Sequence, residues 1–320
     1  MKWSFSLVAF AALQLVTCKP TVIKRQSPND VATVGYATMN GGTSGGSGGP
    51  VTTVTTLEEL TSAVEGSDAK VVIIDGTITG NTVVKVGSNT SVLGKAGSSL
   101  EGVGLRVLEE SNVIIRNVKI SKVLAEAGDA IGIQSASQVW VDHVDVSSDR
   151  DHDKDFYDGL IDVTHASNGV TITNSKLYDH WKASLVGHSD NNGDEDVAIT
   201  VTYALNNWNN LNSRTPSFRF GHGHIFNNIF DDNNDGINTR DGAQLLVENN
   251  VWTGKSLIIS TFPLYETDEG FAVARGNDFG GAENTAPEGD FTDAPYDYDL
   301  LDAADVRAFV EANAGQTLDF

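Results

Sequence analysis

A six-residue pattern recurs along the middle of this chain and limits its fold more than any other feature. Ile115-Arg116-Asn117-Val118-Lys119-Ile120 is matched by Val141-Asp142-His143-Val144-Asp145-Val146 and by Ile172-Thr173-Asn174-Ser175-Lys176-Leu177. The pattern returns at Tyr203 to Trp208, Phe226 to Phe230 and Val247 to Trp252. Its third position is Asn117, His143, Asn174, Leu205, Asn227 and Asn249, at spacings of 26, 31, 31, 22 and 22 residues. A repeat of that length predicts coils of two or three short strands, each rung covering its neighbour's edges, hence an all-β parallel β-helix. Asn suits the recurring position. Its amide bonds main-chain groups at a tight bend, tolerates left-handed φ, and can stack on the rung above at about 4.8 Å. A β-sandwich also has short strands, but it gives no reason for one bend residue to recur at rung spacing.

Both ends depart from the pattern. Thr56-Leu57-Glu58-Glu59 reads as a capping box opening a short N-terminal helix to about Glu65. The tail from Glu283 to Phe320 is acidic and irregular, and Asp302 to Asn313 predicts a helix packed on the coil with no chemistry assigned to it. At the start, Lys2 and the apolar run to Val16 are too short for a membrane span and suit a signal peptide over residues 1–18. Lys24-Arg25 reads as a dibasic site closing a propeptide over 19–25, which leaves one domain over 26–320. The formal charge of −22 loses four basic and no acidic residues with that leader and becomes −26. So acidic a surface disfavours nucleic acid and anionic membranes and suits a secreted monomer. Cys18, the sole cysteine, falls at the edge of the discarded leader, so the mature chain has no disulfide. Asn89-Thr90-Ser91 is its one N-glycosylation sequon.

The stretch from Asp129 to Arg219 concentrates the candidate chemistry. Asp129, Asp158 and Asp162 sit beside strand-like runs with Lys182, Arg214 and Arg219. Three carboxylates and three permanent cations suggest a hard cation next to a basic cluster, calcium taking oxygen ligands at about 2.3–2.6 Å. Surface ion pairs, each worth little, remain the other reading of the same residues. In a straight strand Asp158 and Asp162 share a face but lie roughly 13 Å apart, so the chain must bend near Gly159 for one ion to reach both. The rung alignment places Gly159 over Asp129, and alternation with Ile161 and Val163 turns Asp162 outward. Asp149-x-Asp151-x-Asp153 begins like an EF-hand loop, but Lys154 and Leu160 stand where glycine and glutamate are needed, so it reads as a solvated acidic loop. His143 and His180 read as structural groups, Trp140, Trp208, Phe230 and Trp252 as core, and Trp181, next to Lys182, as the best candidate for contact with a ligand. Gly221-His222-Gly223 matches a motif of β-helical hydrolases, without the paired aspartates those enzymes need upstream.

Specific strings then follow in order: Gly35-Tyr36-Ala37, Gly41-Gly42-Thr43, Gly128-Asp129-Ala130-Ile131, Val139-Trp140-Val141-Asp142-His143, Tyr157-Asp158-Gly159-Leu160-Ile161-Asp162, Asp179-His180-Trp181-Lys182 and Arg214-Thr215-Pro216-Ser217-Phe218-Arg219-Phe220-Gly221. From about residue 35 to 255 the chain resembles the pectate lyase family of right-handed parallel β-helix enzymes. The resemblance implies that Asp129, Asp158 and Asp162 bind calcium, that Lys182 and Arg219 grip an acidic sugar, and that Arg214 is the base. Some members carry a further acidic ligand where this chain has Ala127. The implied activity is calcium-dependent, endolytic β-elimination of polygalacturonate, the de-esterified form of pectin, to 4,5-unsaturated oligogalacturonides. Arginine is an awkward base because it is ordinarily protonated, and alkaline conditions would favour the role. Pectin lyase, which works on methyl esters without calcium, is the nearest alternative; that branch largely replaces the metal carboxylates with basic residues. A non-catalytic polysaccharide-binding β-helix is the alternative from another class.

Overall fold

The structure, a computed structural model, describes residues 26–254 and 262–320. The expected signal peptide and propeptide lie outside the described residues. Among those described, one path of ten parallel strands runs from Val51–Val54 through Ser111–Arg116, Ser137–Asp142, Asn168–Thr173 and Thr200–Ala204 to Phe271–Arg275. A second sheet of fourteen strands, thirteen of them along one path, makes two faces of the coil. Its turning point is the long strand Ser99–Leu108, which pairs through Leu100–Glu101 with Lys119–Ser121 and through Leu105–Leu108 with Ile131–Gln134. The result is the expected right-handed parallel β-helix, the hand that parallel strand connections adopt.

The repeat maps onto the register. Ile115, Val141, Ile172, Tyr203, Ile225 and Val247 are successive partners along the first face, and all six are fully buried. Each third-position residue is left-handed: Asn117, His143, Asn174, Leu205, Asn227 and Asn249 have φ between 47° and 61°. This bend turns the chain from the first face to the second. The stacked amides, however, belong to the next residue. Asn206 Nδ2 donates to Asn228 Oδ1 at 3.0 Å, Asn228 to Asn250 at 2.9 Å and Asn250 to Asn277 at 3.0 Å. Left-handed φ points the third-position side chain out of the coil and the following one into it, so only the latter can form an internal ladder. The outward amides hold the tail instead. Asn117 exchanges hydrogen bonds with the Leu318 backbone, and Asn227 with that of Leu301.

The interior is a column of apolar side chains in which Trp208, Phe230 and Trp252 stack at centroid distances of 5.7 and 4.5 Å. Trp140 is buried outside that column, against Ala32, Ala37 and Ile114 under the N-terminal segment. The capping box is present at Thr56 and Glu59, and the helix Leu57–Ala63 closes one end of the coil with Leu60. The tail helix Ala303–Asn313 lays Val306 and Val310 against Ile229 and Val251.

Candidate active site

Four successive rungs turn from the second face to the third at one corner, and most of the candidate residues stand there. Asp129 precedes Ile131–Gln134, Asp158 precedes Ile161–Thr164, Lys182 ends Lys176–Lys182, and Arg214 follows Asn207–Ser213. Backbone hydrogen bonds stack the turns: Ala130 N to Gly159 O, Leu160 N to Ala183 O, and Ser184 N to Arg214 O. Ile161 N also donates to Ala183 O, so two successive amides share one carbonyl. That irregularity is the bend the carboxylate spacing required, and it falls just after Gly159.

Gly159 is the hinge of the site. Its N–H donates to Asp129 Oδ1 at 3.0 Å. A Cβ on it would stand 2.5 Å from Asp162 Oδ1 and 2.8 Å from Asp129 Oδ1, so the two carboxylates face one another across the space of a missing methyl group. Asp162 points outward while Ile161 and Val163 fill the core, and its Oδ1 accepts from Leu185 N at 2.9 Å. Both carboxylates are more than nine-tenths buried. Burial, and then repulsion from Asp158, pushes Asp129 up to about 6 against the pull of the Gly159 N–H, Arg106 and Arg214. Burial and repulsion from Asp129 raise Asp162 well above the carboxylate range. Two desolvated like charges held this close are stabilised by a cation between them or by a shared proton.

Asp158 is differently engaged. It receives Lys182 Nζ at 3.3 Å, and Asp155 lies 3.5 Å from the same ammonium. His180 Nε2 donates to the Asp158 carbonyl, and burial drives this histidine down to about 4, so it is a neutral structural support as expected. Arg214 reaches Asp162 Oδ2 at 3.9 Å. Arg219 stands apart from the carboxylates, at the end of Ser217–Arg219, with Asp190 at 2.6 Å and Asp241 at 3.5 Å. Among the described residues no three His, Cys, Asp or Glu side chains form a ready metal cluster. Asp129 and Asp162 fit a divalent cation as a buried, mutually repelling oxygen pair, with the third carboxylate one ion pair away.

Arg106 was not legible as a site residue. It shares a register row with Gly132 and Asp162, and its Nη2 would be 2.6 Å from a Cβ on Gly128. The signal was the glycine on each side of Asp129-Ala130-Ile131, which leaves room for a long cationic side chain. Trp181, expected to meet sugar, is occupied: its Nε1 donates to His152 O at 2.8 Å and the Arg150 guanidinium covers its ring at 4.8 Å. The acidic loop it pins is organised by its own carboxylates. Asp149 accepts from Asp151 N, His152 Nδ1 and Tyr157 OH.

The family described as pectate lyase matches residues 6–262. A probable pectate lyase A of Aspergillus niger is 57% identical over all of this chain and 99% of its own. A pectate lyase A of Aspergillus niger is 59% identical, over 95% of this chain and 93% of its own. Among solved structures, a pectate lyase from Bacillus sp. N165 in complex with trigalacturonate superposes with a TM-score of 0.79 at 31% identity, over 89% of this chain and 98% of its own. A pectate lyase from Acidovorax avenae shares the fold at a TM-score of 0.80 and 18% identity, over 95% and 99%. The chain belongs to the pectate lyase family.

Proposed function

We propose that this protein is a secreted, monomeric, calcium-dependent pectate lyase that cuts polygalacturonate within the chain and releases 4,5-unsaturated oligogalacturonides. The observation that carries the reading is the facing pair Asp129 and Asp162 on a corner that also carries Arg106, Lys182 and Arg214. In this reading Asp129, Asp158 and Asp162 hold the calcium, Lys182 and Arg219 bind sugar carboxylates, and Arg214 takes the proton. Calcium, when bound, supplies a charge that stabilises a uronate carboxylate as it gains electron density. β-Elimination removes the C5 proton, next to that carboxylate, and expels the O4 oxygen as the C4–C5 double bond forms. The proton is a poor acid because a dianion develops, and fixed cations aimed at that charge lower the barrier. In this reading Lys182, which pairs with Asp158 and Asp155 at its strand end, exchanges them for substrate. That exchange frees Asp158 to turn toward the buried pair. The protein and its substrate are both acidic, so the local reversal of sign at this corner is what permits binding.

The test mixes protein with polygalacturonate or with methyl-esterified pectin, with and without a chelator, and follows the unsaturated product in the ultraviolet. Product from polygalacturonate that disappears on chelation and returns with calcium is expected. Activity on methylated pectin that survives chelation would replace the reading with a pectin lyase, and binding without product would replace it with a binding module.

A further inference from the structure

We propose that Asp235, oriented by Tyr265, is the positioning residue that aims Arg214. The inference rests on the reading of Arg214 as the base. Arg214 has φ of +62°, left-handed backbone that disfavours an ordinary side chain, at the point where its strand has ended. Such a conformation persists only where neighbours impose it. On one side the Arg214 carbonyl accepts from Ser184 N at 2.9 Å, from the preceding rung. On the other, its N–H donates to Asp235 Oδ2 at 3.1 Å, from the following rung. Among the described residues Asp235 is therefore the one side chain that holds the Arg214 backbone.

Asp235 is itself constrained. Its Oδ1 accepts from Tyr265 OH at 2.8 Å and from Gly236 N at 3.0 Å. Its main-chain oxygen takes the hydroxyl of fully buried Thr215 at 3.0 Å, which ties it to the residue after Arg214. Among the described residues it forms no ion pair, so its carboxylate serves hydrogen bonding and not charge neutralisation. The clamp fixes the direction in which the Arg214 side chain leaves the backbone, and that direction carries the guanidinium to within 3.9 Å of Asp162. Without the clamp the arginine relaxes to ordinary backbone and its side chain leaves the corner. A base displaced by about an ångström loses on the order of a hundredfold in rate while substrate binding is kept.

The experiment measures kcat and KM on polygalacturonate at saturating calcium for four variants. Asp235→Ala is expected to lower kcat about 10- to 100-fold with KM within about twofold. Asp235→Asn, whose amide oxygen still accepts the Arg214 N–H, is expected to restore most of that loss. Tyr265→Phe is expected to lose a few-fold in kcat and keeps the test available if the alanine variant does not fold. Folded Asp235→Ala or Tyr265→Phe with wild-type kcat would overturn the inference, as would a loss confined to KM. Arg214→Ala runs beside them. Retained activity there would remove the reading of Arg214 as base, whereas an inactive Arg214→Ala beside a fully active Asp235→Ala would remove the positioning role alone.

Discussion

Gly159→Ala is the sharpest perturbation of the proposed metal site. Gly159 does not have the left-handed φ that many glycines of this chain show, so its backbone accepts alanine. The effect must come from the added Cβ. It would meet Asp162 Oδ1 at 2.5 Å and Asp129 Oδ1 at 2.8 Å, where ordinary contact begins at 3.4 Å. The carboxylates must therefore retreat by about 0.9 and 0.6 Å, several times the roughly 0.2 Å that ligand distances tolerate. Overpacking of this kind costs about 1–3 kcal/mol, less than the stability of an ordinary domain, so the coil should stay folded. Calcium affinity should fall about 10- to 100-fold, and kcat at saturating calcium by a comparable factor. Calorimetric calcium titration of the folded variant, checked by circular dichroism, reads the first quantity directly. Wild-type calcium affinity in Gly159→Ala would refute the assignment of Asp129 and Asp162 as ligands.

Other outcomes follow from the same structure. The buried carboxylates at 129 and 162 have folded pKa values raised above the unfolded ones: Asp129 destabilises the metal-free protein progressively as pH rises from about 4 through about 6, and Asp162, raised well above the carboxylate range, acts in the same direction. Calcium should accordingly raise Tm more at pH 8 than at pH 5, and an equal gain at both would contradict the pairing. Asp142 has the opposite sign: burial would push it up, but His143, Arg116 and Asn174 hold it at about 2. It contributes about 2 kcal/mol that is fully present above pH 4 and lost as pH falls toward 2, and urea titrations of wild type and Asp142→Asn across that range should converge at the acid end. Asn228→Ala leaves Asn206 N–H and Nδ2 without the Asn228 oxygen they now share, at about 1–3 kcal/mol for each group, read as a lowered urea midpoint. Asn89 donates its Nδ2 to Ser67 O at 2.9 Å and accepts from Asn112 Nδ2 at 2.8 Å, so peptide mapping of the protein should find it without a glycan.

Much of this molecule is legible in its sequence. Coil spacing, the bend at the third position of each repeat, the capping box and the tail helix follow from local periodicity, which depends only on which residues alternate and which punctuate. The aspartates and cations could be named because the strings that hold them resemble those of the pectate lyase family. The bend residue, its left-handed φ and its bonds to main-chain groups were legible, but the stacked amides belong to its successor.

Sequence alone determined the winding, because burial of alternate side chains and a recurrent turn residue are properties of the chain read in order. Tertiary structure decided which charges meet. The pairing of Asp129 with Asp162, the capture of Asp158 by Lys182, the covering of Trp181 by Arg150 and the hold of Asp235 on Arg214 join residues on different rungs or loops. Loop lengths between rungs vary, so no periodicity fixes those contacts. Only the stacking of one corner upon the next brings them within a few ångströms, where desolvation and Coulomb energy act.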